Sequence, residues 1–244
     1  MRRAFERCSG PTWVWNQKSF SDLYVKRISI LGSTGSIGRQ TLEVVASMPE
    51  RLAVVALAGG ENVELLAEQT AAHRPTVVSA ASAARAKELE ALLKQRGMSP
   101  LPEIACGLEG MQRVALHADA DIVVSAAVGV VGLPATYAAI KAGKAIALAN
   151  KEVLVAAGEL VTQAAREHNV DLLPVDSEHN AIHQCMRAGQ RLEVRKLILT
   201  ASGGPFLRTP AAKLKHVTAE EALNHPNWKM GKRITVDSAT LVNK

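Results

Sequence analysis

The stretch that most constrains the fold is Gly32-Ser33-Thr34-Gly35-Ser36-Ile37-Gly38, set between the apolar run Ile28-Ser29-Ile30-Leu31 and a helical pattern through Leu42, Val45 and Ala46. Strand, glycine turn and helix in that order read as the first unit of a parallel βαβ arrangement. Glycines there let the backbone turn tightly and approach a pyrophosphate, which the unpaired N–H groups of the helix N-terminus attract. A glycine triplet alone is a weak signal, and its place between strand and helix strengthens it.

The alternation continues along the chain. Strands are expected at Ala53–Ala58, Thr76–Val78, Glu103–Ala105, Asp121–Ser125, Ala145–Leu148, Leu172–Val175 and Leu197–Ala201, with helices through Leu65–Gln69, Ala83–Arg96, Leu108–His117, Leu133–Ala142 and Glu152–His168. That spacing predicts a doubly wound, Rossmann-like parallel sheet over residues 27–175, followed from 176 to 244 by the start of an α+β domain. Aromatic residues make up only 3% of the 244 residues against 48% hydrophobic. The core must therefore be built from Ala, Val, Leu and Ile, which suits buried parallel strands.

Ligands of such sheets lie outside the carboxyl ends of the strands, and polar residues cluster there. The second strand ends in Gly60-Glu61-Asn62, where the adenosine ribose of a dinucleotide would be read; an acid there favours a free 2′-hydroxyl, and Asn62 doubles as a helix cap. Another strand ends in Asn150-Lys151-Glu152, where substrate and nicotinamide would meet, or where a helix is simply capped. Next, Asp176-Ser177-Glu178 puts two carboxylates one residue apart after Pro174-Val175. Such a pair either holds a hard divalent cation or shares acid and base duties, and equally serves as a helix cap with an acid in the first turn. His179 and His183 lack the order of a zinc motif and read as ordinary helix residues. Ser202-Gly203-Gly204 suits a phosphate nest or a plain turn, and His225 to Gly231, with Trp228, reads as a loop that closes over a substrate. A last helix begins at Asp237 and stops without a cap at Lys244, which suggests a cut chain.

The net charge of +6 is spread along the chain and interleaved with acids, which argues against nucleic acid and fits phosphorylated small molecules. No apolar run is long enough to span a membrane. Cys8, Cys106 and Cys185 form neither a disulfide framework nor a zinc ribbon, so a reducing cytoplasm is the expected compartment. Residues 1–26, with Trp13 and Trp15 and a basic excess, read as an appended, disordered extension, loosely like a transit peptide, and translation starting near Val25 is the alternative.

Six motifs occur in one order: the glycine turn from Gly32, Leu148 to Glu152, Pro174 to Ile182, Ser202 to Phe206, His225 to Gly231, and Val236 to Lys244. From Arg27 onward the chain thereby closely resembles the 1-deoxy-D-xylulose-5-phosphate reductoisomerase family. The resemblance implies an NADPH-dependent homodimer, requiring Mg²⁺ or Mn²⁺, that turns 1-deoxy-D-xylulose 5-phosphate into 2-C-methyl-D-erythritol 4-phosphate in non-mevalonate isoprenoid synthesis. It implies cofactor contacts at Thr34, Gly35, Ser36, Ile37, Gly60, Glu61, Asn62, Asn150, Glu152 and Gly231. Metal ligands would be Asp176 and Glu178; substrate residues would be Lys151, Ser177, Glu178, Ser202, His225, Trp228, Ser238, Asn243 and Lys244, with Lys151, Asp176, Glu178 and His225 catalytic.

The chain departs from the family at Glu61, where relatives often have a basic or neutral residue, which bears on the choice of NADPH over NADH. The family pattern also places a third metal-ligand glutamate just beyond Lys244, so this chain is expected to be an inactive N-terminal fragment. A metal-free NAD(P) dehydrogenase and a non-catalytic dinucleotide-binding module are the competing readings of the same residues.

Overall fold

In the computed structural model of the chain, residues 24–240 are described. The extension expected over 1–26 lies outside them apart from its last three residues, and so do Asn243 and Lys244. Those three residues are not a loose tail: the Tyr24 hydroxyl donates to Asp121 at 2.8 Å, and Lys26 opens the first strand.

Seven strands form one parallel sheet: β1 (Lys26–Leu31), β2 (Leu52–Ala58), β3 (Val77–Ala80), β4 (Glu103–Cys106), β5 (Ile122–Ser125), β6 (Ala145–Leu148) and β7 (Leu172–Pro174), in the order β4-β3-β2-β1-β5-β6-β7. Helices α1 (Ser36–Ser47), α2 (Val63–His73) and α3 (Ala83–Gln95) follow the first three strands; α4 (Gly107–Ala115), α5 (Leu133–Lys141) and α6 (Glu152–Glu167) follow the next three. β1 shows why this sequence buries on both sides: Ile28 and Ile30 enter one apolar cluster with α1, α2 and α3, while Leu31 enters the other with α4, α5 and α6. The largest fully buried side chains are Leu, Ile and Val, each stabilising the fold by roughly 1.5–3 kcal/mol.

α4 returns the chain from edge strand β4 to β5, which pairs with β1 on the side opposite β2. Strand order therefore reverses between β1 and β5, and a crevice opens outside their carboxyl ends. Gly32 is required at this point. Its φ is +89°, and an added Cβ would stand 2.6 Å from the Ala126 carbonyl oxygen at the end of β5.

After β7 come α7 (Ser177–Met186), a short 3₁₀ turn, the single-turn helices α8 (Ala211–Leu214) and α9 (Ala219–Ala222), and α10 (Lys232–Thr240). Three expectations are corrected here. Leu197–Ala201 is not a strand, and Leu197, Ile198 and Leu199 are 59%, 65% and 42% exposed. A strand exists only through hydrogen bonds to a neighbour, and among the described residues none runs beside it. The last helix begins at Lys232, five residues before Asp237. The helix from Glu152 is broken at Ala157, whose φ and ψ of −147° and 34° sit next to Gly158. No helix is long and apolar enough to cross a membrane among the described residues.

Candidate active site

The crevice at the reversal point has a volume of about 860 Å³ and gathers residues from six separate segments, several of them helix starts. Its floor is the glycine turn. Gln69 of α2 donates Nε2 to the Ser33 carbonyl at 2.9 Å, and the Ser33 and Gly32 N–H groups both donate to Ala58, so the turn is anchored from behind. Gly35, Ser36 and Ile37 then face the crevice at the start of α1. No acidic side chain stands in the first turn of α1, so its N–H groups present an electropositive end.

Thr34 sits to one side, its hydroxyl accepting from the Gly60 N–H at 3.4 Å, which joins the turn to the end of β2. Asn62 caps α2 by accepting from the Leu65 N–H at 3.1 Å. Glu61 is committed to Arg85 in the first turn of α3, whose Nε lies 2.9 Å from its carboxylate. Sequence reasoning found Glu61 but not Arg85, which is 24 positions away and becomes a neighbour only because β3 lies beside β2.

The opposite wall comes from β5 and β6. The Ala149 and Asn150 N–H groups donate to Ser125, and Asn150 Nδ2 donates to the carbonyls of Ala127 and Gly129. Asn150 is 5% exposed and its Oδ1 has no hydrogen-bond partner, an uncommon state for a buried amide oxygen. Ala126, Ala127 and Val128 complete this wall; only the strand order, bringing β5 beside β1, marks them as site residues.

Lys151 and Glu152 stand at the start of α6, and Asp176, Ser177 and Glu178 at the start of α7. Lys151 Nζ lies 3.2 Å from Asp176 Oδ2, and both side chains are largely covered. Asp176 occupies the cap position of α7 but makes no side-chain cap hydrogen bond, which leaves its oxygens directed to Lys151. Ser177 donates to Glu178 at 3.1 Å. His179 approaches Asp176 only to 3.9 Å, and among the described residues no group of three or more His, Cys, Asp or Glu is arranged to hold a metal ion.

The outer rim is a hydroxyl and imidazole cluster. Ser202 and Ser238 share a 2.5 Å hydrogen bond, linking the loop after residue 201 to α10. His225 Nδ1 accepts from the Asn227 and Trp228 N–H groups at 3.2 and 3.1 Å, so its proton resides on Nε2, 3.3 Å from Ser202 Oγ. The His225 and Trp228 rings stack with centroids 5.0 Å apart, and Trp228 stays 57% exposed. Gly204 closes the cluster: with φ +60°, an added Cβ would meet the Ala239 Cα of α10 at 2.6 Å. Gly231, Met230, Lys232 and Asp237 also line the crevice, and of these the sequence reading singled out only Gly231 as a contact.

This fold and crevice define a Rossmann-like doubly wound α/β protein with a polar site at the strand-order reversal. Residues 28–158 match the 1-deoxy-D-xylulose 5-phosphate reductoisomerase family model and residues 172–244 match that family's C-terminal domain model; the chain belongs to this family. The reductoisomerase of Desulforamulus reducens is 57% identical over 221 residues, covering 90% of this chain and 56% of the relative. The chloroplastic enzyme of Mentha piperita is 53% identical over 219 residues, with 90% and 46% covered. The Zymomonas mobilis reductoisomerase in complex with NADPH superposes with a TM-score of 0.80 at 42% identity, covering 90% of this chain and 55% of that one. A reductoisomerase solved with NADPH, fosmidomycin and magnesium superposes at 0.79 with 39% identity, again over 90% and 55%. The chain thus spans little more than half the length of the curated relatives it matches.

Proposed function

We propose that this chain forms the cofactor half, and part of the substrate site, of an NADPH- and divalent-metal-dependent enzyme. That enzyme converts 1-deoxy-D-xylulose 5-phosphate to 2-C-methyl-D-erythritol 4-phosphate. One observation supports this above the others: a single crevice receives the glycine turn, the Lys151–Asp176 pair with Glu178, and the Ser202–Ser238 cluster. A nucleotide pyrophosphate, a polyoxygenated carbon chain and a phosphate match those three sub-regions in chemistry.

Both expected groups fit the residues present. The orphaned Oδ1 of Asn150 is an acceptor suited to a carboxamide N–H of a nicotinamide, and its Nδ2 already fixes its orientation. Asp176 and Glu178 supply hard oxygen donors of the kind Mg²⁺ and Mn²⁺ prefer, with most of the coordination sphere left to water and substrate. When bound, NADPH supplies the hydride and the metal ion polarises the substrate's oxygens. Lys151 neutralises Asp176 and presents an ammonium to the same region, which orients a substrate hydroxyl or carbonyl. Ser202, Ser238 and the Nε2–H of His225 offer hydroxyl and N–H donors to phosphate oxygens. Trp228, stacked on His225, covers one face of that imidazole and fixes the ring's orientation.

The division we propose runs near residue 175, with the nucleotide unit before it and the metal and substrate residues after it. The assembled enzyme is proposed as a cytoplasmic homodimer. Titrating the chain with NADPH and following nucleotide fluorescence tests the cofactor half; saturable binding that Gly35→Trp abolishes is expected, and no binding sinks the reading. In the longer relative-length protein, turnover that survives chelation of divalent ions would overturn the metal assignment.

A further inference from the structure

At the carboxyl edge of β2 and β3, away from the reacting end of the crevice, Arg85 is held between two acids. Its Nε lies 2.9 Å from Glu61 and its NH1 2.7 Å from Glu88. Glu61 follows Gly60, whose N–H contacts Thr34 of the glycine turn, so the pair borders the place where the adenosine ribose of a bound dinucleotide would lie. Around Gly60 the space is open: a Cβ built there meets nothing within 4 Å. Farther along the two helices, Arg96 is engaged by Glu64 at 3.1 Å and by Glu68 at 3.8 Å, so the cation presented to Glu61 is Arg85.

We propose that Arg85 is the residue that recognises the 2′-phosphate of the nucleotide, and that Glu61 is a built-in competitor occupying Arg85 until that phosphate displaces it. The inference rests on the dinucleotide reading of the crevice. A guanidinium offers a planar fork that a phosphate engages through two parallel hydrogen bonds, more strongly than it engages a neutral donor. Glu88, one helical turn along α3, keeps NH1 tethered while the Nε edge exchanges Glu61 for phosphate. With a 2′-hydroxyl in place of the phosphate nothing displaces Glu61, and its carboxylate is itself an acceptor for that hydroxyl. The pair therefore narrows discrimination between NADPH and NADH below what Arg85 alone would give.

The test is the ratio of dissociation constants for NADH and NADPH, read by nucleotide fluorescence in the whole chain and in R85Q and E61Q. Arg85 and Glu61 are exposed, so equal melting temperatures are expected for all three proteins. R85Q should weaken NADPH by about tenfold or more while moving NADH by less than about twofold. E61Q should raise the ratio by about fivefold in favour of NADPH. The proposal is overturned if R85Q weakens both nucleotides equally or neither, or if E61Q leaves the ratio unchanged or lowers it. Failure of the unaltered chain to bind either nucleotide would sink the dinucleotide reading and this proposal together, whereas binding with an unmoved ratio sinks this proposal alone.

Discussion

At the scale of single residues, Asn150 does the most to hold together the crevice wall built by the ends of β5 and β6. Its amide nitrogen donates to two carbonyls in the loop after β5 while its own backbone N–H reaches Ser125. Asn150→Asp replaces a donor with a carboxylate facing two carbonyl oxygens in a buried site. We expect a loss of about 1–3 kcal/mol in urea unfolding, together with loss of NADPH binding. A variant of unchanged stability would mean that the loop is held by something else. A second residue-scale prediction concerns Asp121. Burial opposes its ionisation, but the Arg27 N–H and the Tyr24 hydroxyl outweigh that and hold its carboxyl below the ordinary value. A group depressed in the folded state stabilises above its unfolded pKa and loses that contribution as pH falls through the folded one. The melting temperature of Asp121→Asn should accordingly lie below that of the unaltered chain at pH 7, and the gap should close on acidification below about pH 4.

At the scale of elements, the helices that frame the crevice start in different ways, and the difference separates structure from function. α2 begins with a satisfied side-chain cap at Asn62, whereas α1, α6 and α7 begin at Gly35, Lys151 and Asp176 with none. A side-chain cap satisfies the first N–H groups of α2 from within the protein, while uncapped starts that face the crevice leave N–H groups for a ligand. Asn62→Ala should therefore cost about 1 kcal/mol in thermal unfolding with NADPH affinity within about twofold, and a large loss of affinity would assign Asn62 a contact rather than a cap. The elements before residue 175 were legible in the sequence because each strand is a short apolar run closed by glycine or polar residues. Ala145–Leu148 matches β6 residue for residue, and the other helices and strands up to β7 differ only at their ends, by one or two residues except at α2, which runs four residues past Gln69. Leu197–Ala201 was misread because its pattern is that of a strand, while a strand's existence depends on a partner that no local pattern specifies. The break at Ala157 is marked in the sequence only by the neighbouring Gly158, and α10 starts directly after Gly231, where no Ser, Thr, Asp or Asn cap signals it.

At the scale of the whole molecule, the sheet order makes one site out of segments as far apart in sequence as Gly35 and Ser238. The carboxylates illustrate what this assembly does and does not supply. Asp176 and Glu178 share the crevice, yet among the described residues no group of three or more His, Cys, Asp or Glu is arranged to hold a metal ion, and Lys151 competes for Asp176. Mn²⁺ should bind this chain weakly without substrate, with a dissociation constant of about 0.1 mM or higher in a paramagnetic resonance titration. Micromolar affinity that Asp176→Asn leaves intact would place the ion elsewhere.

By itself the sequence determined the class of fold, the core composition and the identity of most polar residues that line the crevice. Apolar periodicity, turn glycines and the order of motifs are local properties, and local physics reads them. Only the tertiary structure decided which of those residues meet. Gly32 is needed because the end of β5 presses against it, Arg85 faces Glu61 because β3 lies beside β2, and His225 holds its proton on Nε2 because two backbone amides occupy Nδ1. Each of those facts depends on segments brought together by burial of the sheet's two faces, a global requirement that no window of the chain contains.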